Sequence, residues 1–427
     1  MAAHPARQPI TPRGPLSARV RVPGSKSLTN RALPIAALAS GTSTLSGALE
    51  SDDTRVMREC LRALGCEVRC ESDTWQVAGR GGSFRAPERP LWVENSGTTA
   101  RFLTAMAALA DGPVVIDGNR RMRERPIDDL TTALAALGVP IEVLGAGGCP
   151  PVSVAGGGLP GGRVTIDARR SSQYVSALLL AAPYARSDLA LDFAEGVLVS
   201  RPYVELTLEV MEAFGAAAQF RPDGAGVEVT AGRHYQARAY AIEPDASAAA
   251  YPFCAAAIAG GRVRVDGVPT ASRQADFAIL PILEQMGCGV VRGPDFVEVT
   301  GSAAPLRGVD VDMNDLPDAV LAVAVVAAFA RGETHIRNVG NLRIKETDRL
   351  AALETELRKI GVEAHAHADS LHIRPGPLHA AEIATYDDHR MAMAFALAGL
   401  RIPGLVILDP GCVSKTWPDY FDVLESL

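Results

Sequence analysis

What this sequence lacks narrows its function first. In 427 residues the longest uncharged, strongly apolar run is Ala319–Ala330, twelve residues, well short of the ~20 that cross a bilayer as a helix. It reads as a buried core helix, and no membrane association is expected. Seven cysteines stand at positions 60, 66, 70, 149, 254, 288 and 412 with no Cys-x-x-Cys pair, so neither a disulfide frame nor a cysteine zinc site is indicated, and reduced cytoplasmic thiols are expected. A basic excess is missing too: the formal charge is −7 and the pI near 5.7, which argues against a nucleic-acid partner. Any anion site must be a local cluster. The stretch Met1–Arg13 is polar and Pro-rich without an apolar signal core and reads as a flexible lead-in.

Nucleotide motifs are absent as well. Pro23-Gly24-Ser25-Lys26-Ser27 has the flavour of a phosphate loop, but Ser25 separates Gly24 from Lys26, which breaks the Walker pattern, and no Gly-x-Gly-x-x-Gly follows a strand. No cofactor is expected. His365 and His367 alternate along a strand-like run with no third ligand at useful spacing, so no metal is expected there either.

What is present is a repeat. An apolar helical phrase, a glycine and a strand-like run recur five times, with the glycines at 65, 138, 215, 287 and 361, hence 72 to 77 residues apart. Each glycine sits where a helix needs a left-handed residue just past its end. Interleaved is a second phrase, a Ser or Asp N-cap followed by an Ala/Leu-rich run, starting near Ser25, Ser96, Ser171, Asp245, Asp318 and Asp388, 70 to 75 residues apart. Six units of two helices and several short strands make two pseudo-symmetric α/β halves, with strand directions left open by the pattern. Pro34 and Pro252 fall inside two of the helical runs, which must kink or begin later than drawn.

The cap segments are also where unusual polar residues gather. They include Ser25-Lys26-Ser27 with Arg31, Asn95-Ser96-Gly97-Thr98 with Arg101, Ser171-Ser172-Gln173 and Asp387-Asp388-His389-Arg390. Helix N-termini offer free N–H donors and about half a positive charge, so phosphates and carboxylates settle there. Two further segments, Arg120–Pro126 and Asn341–Arg349, are charge-dense. Alone they read as solvated faces or i,i+4 ion pairs, but Glu346 among several cations at a helix start is placed to act as an acid or base.

In this order, and joined by Lys345-Glu346-Thr347-Asp348-Arg349 and Lys415-Thr416, these motifs resemble the 5-enolpyruvylshikimate-3-phosphate synthase family from about Pro23 to Tyr420. The resemblance implies an α/β fold of two inside-out α/β barrel domains, each of three βαβαββ repeats, as in enolpyruvyl transferases. Residues 1–24 and 243–427 would form one domain and 25–242 the other, with the active site in the interdomain cleft. It implies a cytoplasmic, monomeric enzyme that transfers the enolpyruvyl group of phosphoenolpyruvate to the 5-hydroxyl of shikimate 3-phosphate and releases phosphate. Carried over residue by residue, Lys26, Gly97, Arg121, Gln173, Arg349, Arg390 and Lys415 are the expected phosphoenolpyruvate contacts. Lys26, Ser27, Arg31, Ser171, Ser172, Gln173, Ser200, Tyr203, Asp318, Asn341 and Lys345 are those for shikimate 3-phosphate. Glu346 is the expected acid, Asp318 the expected base, and Lys26 the aid to phosphate departure. Seven Lys and Arg among these contacts would offset the repulsion of two phosphates and two carboxylates.

The chain departs from the common family pattern at Glu94, Ser96 and Phe102, around the expected phosphoenolpyruvate pocket, where Gly97 is expected to leave room for glyphosate. Two rival readings remain: the sister transferase acting on UDP-N-acetylglucosamine, whose Cys-bearing loop has no counterpart in the Cys-free 120–125 stretch, and a non-catalytic phosphometabolite-binding protein.

Overall fold

A computed structural model describes residues 5–269 and 271–427. The chain divides into two compact units, Lys26–Ile242 and a discontinuous one combining residues up to Ser25 with Glu243–Leu427. The core of the Lys26–Ile242 unit holds the helices Lys26–Leu38, Gly97–Met106 and Ser172–Ala181, nearly all of whose residues are buried. The other unit has Ala246–Ala259, Val320–Ala327 and His389–Gly399, buried just as completely and packed on one another. Ala/Leu/Val-rich helices that are apolar all round are stable only when enclosed, and here the enclosure is made of sheets. Helices lie inside and sheets outside, the reverse of an ordinary α/β barrel.

The repeat is plainest at Leu91–Trp92, helix Gly97–Met106, strand Val114–Asp117, helix Asp128–Ala136, and strands Ile141–Val143 and Val152–Val154, a βαβαββ unit. Among the described residues there are five four-stranded sheets and one three-stranded sheet, and each combines one parallel pair with antiparallel neighbours. The discontinuity of the second unit follows from strand exchange along the chain. Leu16–Val20 pairs in parallel with the strand beginning at Gly261, while Ala239–Ala241 pairs in parallel with Thr44–Ser46. The two chain crossings are bonded to each other, Ser25 N to Glu243 O at 2.8 Å and Asp245 N to Pro23 O at 2.8 Å.

The helix-glycine-strand phrase holds in all five copies. Gly65, Gly138, Gly215, Gly287 and Gly361 have φ between 85° and 110°, a conformation that costs glycine little and a β-carbon much. Pro34 and Pro252 stand inside Lys26–Leu38 and Ala246–Ala259, both of which run through them; each proline removes one donor from the helix, which tight burial on every side tolerates. Two expectations need correction. Asp318 does not cap a helix: it sits in a 3-10 turn, Pro317–Ala319, ahead of Val320–Ala327. The N-terminal lead-in is structured from Arg7: Arg7–Pro9 pairs antiparallel with Val406–Leu408, and Ile10 N and Arg13 N donate to Leu405 O and Leu400 O. It supplies a strand to the three-stranded sheet, which is why the polar Arg7 and Gln8 and the following Pro9 are extended there. Residues 1–4 lie outside the described ones. No helix among the described residues is long and apolar enough to cross a membrane, and all seven cysteines are free.

A second set of glycines closes strands onto core helices. A β-carbon on Gly79 would lie 2.1 Å from Ala39 O, and one on Gly301 2.4 Å from Ala256 O. Gly79→Ala therefore overpacks a rigid backbone contact and is expected to cost about 1–3 kcal/mol. Thermal unfolding checks this, with Gly14→Ala, which meets nothing within 4 Å, expected to leave the midpoint unchanged.

Candidate active site

In the discontinuous unit the site is organised by one guanidinium. Arg349 opens the helix Arg349–Lys359 with its side chain only 1% exposed. Its Nε and Nη2 donate to the two oxygens of Asp388 at 2.7 and 3.2 Å, its Nη1 to Asp318 Oδ1 at 3.2 Å, and its Nη2 lies 2.8 Å from Glu346 Oε2. Burial alone would push this cation toward neutrality, but Asp388, Glu346 and Asp318 outweigh it and its pKa is raised above the ordinary Arg value. Asp318 is shared: its second oxygen accepts from Arg390 Nη2 at 2.6 Å. Two arginines thus hold three carboxylates, and the expected acid and base lie at different nitrogens of the same cation.

The elements dictate this arrangement. Asp388 caps His389–Gly399, accepting from Arg390 N at 2.9 Å, so the residue that starts the helix also aims Arg349. Arg390, in the first turn, donates its Nη1 to Tyr251 OH at 3.4 Å. The Tyr251 phenol is pushed up to about 12, chiefly by burial, and stays a neutral partner. Asn341 lies in the 3-10 turn Gly340–Ile344, followed directly by Lys345 and Glu346. Lys415 ends the turn Pro410–Lys415, which packs against His389–Gly399.

The Lys26–Ile242 unit carries the remaining candidates. Arg31 is 3% exposed, yet its partners are neutral: Thr207 Oγ1 at 2.8 Å, Ser27 O at 2.9 Å and Tyr203 O at 3.0 Å, with the Phe102 ring 5.6 Å from its carbon. No ion pair to Arg31 is present among the described residues, and burial lowers its pKa to about 10. These contacts draw the start of Lys26–Leu38 toward Ser200 and Tyr203, where Ser200 is buried, left-handed (φ 52°) and sits at the N-cap of Arg201–Ala213. Gln173, the second residue of Ser172–Ala181, is fixed from both ends: its Oε1 accepts from Arg101 Nη1 at 2.6 Å and its Nε2 donates to Thr98 Oγ1 at 3.3 Å. Ser171 caps that helix through Gln173 N at 3.2 Å, and Ser172 is its buried first residue. The first turns of the core helices therefore converge on one end of the unit, where their dipoles add. Lys26 Nζ stands 3.6 Å from Asp53, and Arg121, about one-third exposed, pairs with Glu124 at 3.2 Å.

Gly97 is required for a reason different from the one expected. A β-carbon there would meet Arg125 Nη2 at 2.5 Å and Arg101 Nη1 at 3.0 Å, so the space it leaves is taken by guanidinium groups. Arg125 is itself a correction to the solvated-face reading of 120–126. It is 3% exposed and donates to Asn95 O and Oδ1 at 3.1 and 3.2 Å, although Arg120, Arg121 and Arg123 do make surface pairs. Asp53, Arg101, Arg125, Tyr251 and Asp388 are not among the contacts that the resemblance implies, although Arg101 and Asp388 fall in the polar cap segments. For Asp388 the signal was present, an acid one residue from a helix start and two before an arginine; for Tyr251 there was none.

Truncating Asp388 leaves a buried guanidinium short of its main counter-charge, an event that costs about 3–5 kcal/mol in buried pairs. Asp388→Ala is expected to lower unfolding free energy by that amount in a urea titration, whereas Glu124→Ala, which breaks only the surface pairs to Arg120 and Arg121, is expected to change it by less than about 1 kcal/mol.

Comparison with known proteins places this geometry. The sequence profile of the family described as EPSP synthase (3-phosphoshikimate 1-carboxyvinyltransferase) matches residues 10–424. A 3-phosphoshikimate 1-carboxyvinyltransferase from Nostoc punctiforme is 48% identical over 409 residues, 95% of each chain, and one from Vibrio atlanticus is 43% identical over 417 residues, 96% of this chain and 97% of its own. Among solved structures, an EPSP synthase from Acinetobacter baumannii matches with a TM-score of 0.81 at 25% identity over 98% of both chains. The enolpyruvyl transferase NikO from Streptomyces tendae shares the fold, with a TM-score of 0.78 at 20% identity over 98% of this chain and 96% of its own. With core helices inside three-sheet shells, acid-bearing and cation-bearing helix starts, and similarity along almost its whole length, the chain belongs to the EPSP synthase family.

Proposed function

We propose that this chain transfers the enolpyruvyl group of phosphoenolpyruvate to the 5-hydroxyl of shikimate 3-phosphate, releasing inorganic phosphate. The observation that carries the reading is the Asp318–Arg349–Glu346 arrangement, two carboxylates held by one buried cation at 3.2 and 2.8 Å. The reaction needs one proton delivered and another removed within a single site. Glu346 gives a proton to the methylene carbon of phosphoenolpyruvate. Asp318 takes the proton of the 5-hydroxyl as its oxygen bonds to the cationic carbon, forming a tetrahedral adduct. That adduct loses phosphate through C–O cleavage, assisted by Lys26, and a methyl proton returns, restoring the double bond.

Binding is assigned to the same residue sets. Lys26, Gly97, Arg121, Gln173, Arg349, Arg390 and Lys415 hold phosphoenolpyruvate, with Arg349 also fixing the carboxylates that surround it. Lys26, Ser27, Arg31, Ser171, Ser172, Gln173, Ser200, Tyr203, Asp318, Asn341 and Lys345 hold shikimate 3-phosphate. Arg31 supports this assignment, since a buried cation among neutral acceptors gains most from an incoming phosphate. Seven free thiols, most of them buried, support a cytoplasmic setting. Large exposed apolar side chains are few and scattered, Trp92, Leu144, Val197, Val291 and Tyr386, which supports a monomer.

Release of phosphate from phosphoenolpyruvate is the test. It is expected with shikimate 3-phosphate and not with UDP-N-acetylglucosamine; the opposite pattern overturns the reading, and binding of both shikimate substrates without release identifies a non-catalytic binder. Glu346→Gln is expected to lower kcat about 10²–10⁴-fold, the usual worth of a general acid, while KM changes far less. Near-normal turnover removes Glu346 from the role.

A further inference from the structure

We propose that the exposed face of the sheet containing Thr334–Arg337 and Leu371–Arg374 carries a surface site for a borderline-soft divalent ion such as Zn²⁺, formed by Glu333, His335 and His372. The strands pair antiparallel with His335 directly opposite His372. Side chains alternate between faces along a strand, so Thr334 and Ile336 point into the core while His335, with Glu333 two positions before it, lies on the open face. The two imidazoles stack with centroids 4.2 Å apart at 24°. Both Nε2 atoms converge on the same carboxylate oxygen, Glu333 Oε2, at 3.2 Å from His372 and 3.8 Å from His335.

One donor atom from each residue lies within 4.8 Å of the other two. Tetrahedral zinc with bonds of about 2.0–2.2 Å sets its ligands about 3.3 Å apart, so small rotations of three exposed side chains close the gap. Two imidazoles and one carboxylate select zinc, copper or nickel over magnesium and calcium, which prefer oxygen ligands throughout. The exposure leaves a fourth position to water. Neighbouring groups limit the affinity without blocking it. Arg374 Nε lies 3.8 Å from the other oxygen of Glu333 and opposes a cation, while Asp310, opposite His335 on the edge strand, is engaged by Arg337 at 2.6 Å. His365, opposite His372 on its other side, is held by Arg358 at 3.1 Å and Glu363 at 3.4 Å, so it does not join the set. None of the three residues is among those assigned to substrates, although the strand Thr334–Arg337 is followed closely by the turn that carries Asn341.

The experiment is a Zn²⁺ titration of the full chain against a chromophoric chelator, with Mg²⁺ as comparison. One equivalent of Zn²⁺ and no Mg²⁺ is expected to bind. Loss of even an outer-sphere partner weakens metal sites about 10–100-fold, so His335→Gln and His372→Gln are each expected to weaken binding at least about tenfold, with His365→Gln leaving it unchanged. Circular dichroism of the variants verifies the fold. The proposal is overturned if the parent chain binds no Zn²⁺ saturably, or if the His335/His372 double variant binds it as the parent does, which would assign the metal to the thiols.

Discussion

The discontinuous unit is built around the cost of burying a guanidinium. Arg349 is almost wholly excluded from solvent, and an unpaired charge there would be prohibitive. Three carboxylates remove the penalty, and by doing so they lose their own freedom. Asp388 is fixed as both helix cap and bidentate acceptor, Asp318 is fixed between Arg349 and Arg390, and Glu346 is fixed at the third position. The carboxylates proposed for proton transfer are preorganised by the same interaction that lets the helix Arg349–Lys359 start inside the protein.

The Lys26–Ile242 unit solves the converse problem. Arg31 is buried without a counter-ion and is kept by three neutral oxygens and an aromatic face. Lys26 Nζ lies 3.6 Å from Asp53 Oδ2, and the core helices add the positive ends of their dipoles. One unit therefore offers carboxylates gathered on buried arginines, and the other offers cations gathered near helix starts. This division suits substrates that each bring a phosphate and a carboxylate.

Much of the fold was legible because its signals are local. Five glycines at left-handed positions need no tertiary information, since a helix end needs a residue without a β-carbon wherever it occurs, and the period of 72 to 77 residues follows from them. The candidate site residues were legible through the motifs that cluster at helix starts. The expectations that failed concern contacts between distant residues. Arg7–Pro9 has a strand partner 400 positions away. Arg125 reads as one charge in a basic run until Asn95 and Gly97 close over it, and Asp318 reads as a cap until two arginines claim both its oxygens.

The sequence by itself determined the period, the all-apolar core helices, the glycine stops and which residue types crowd the helix starts, because each depends on neighbours within a turn or two. Only the tertiary structure decided which strand completes which sheet, which acid faces which arginine, and that His335 meets His372 across a strand pair. Those outcomes depend on register and burial, and both are set by residues dozens to hundreds of positions apart, whose joint energy no local pattern records.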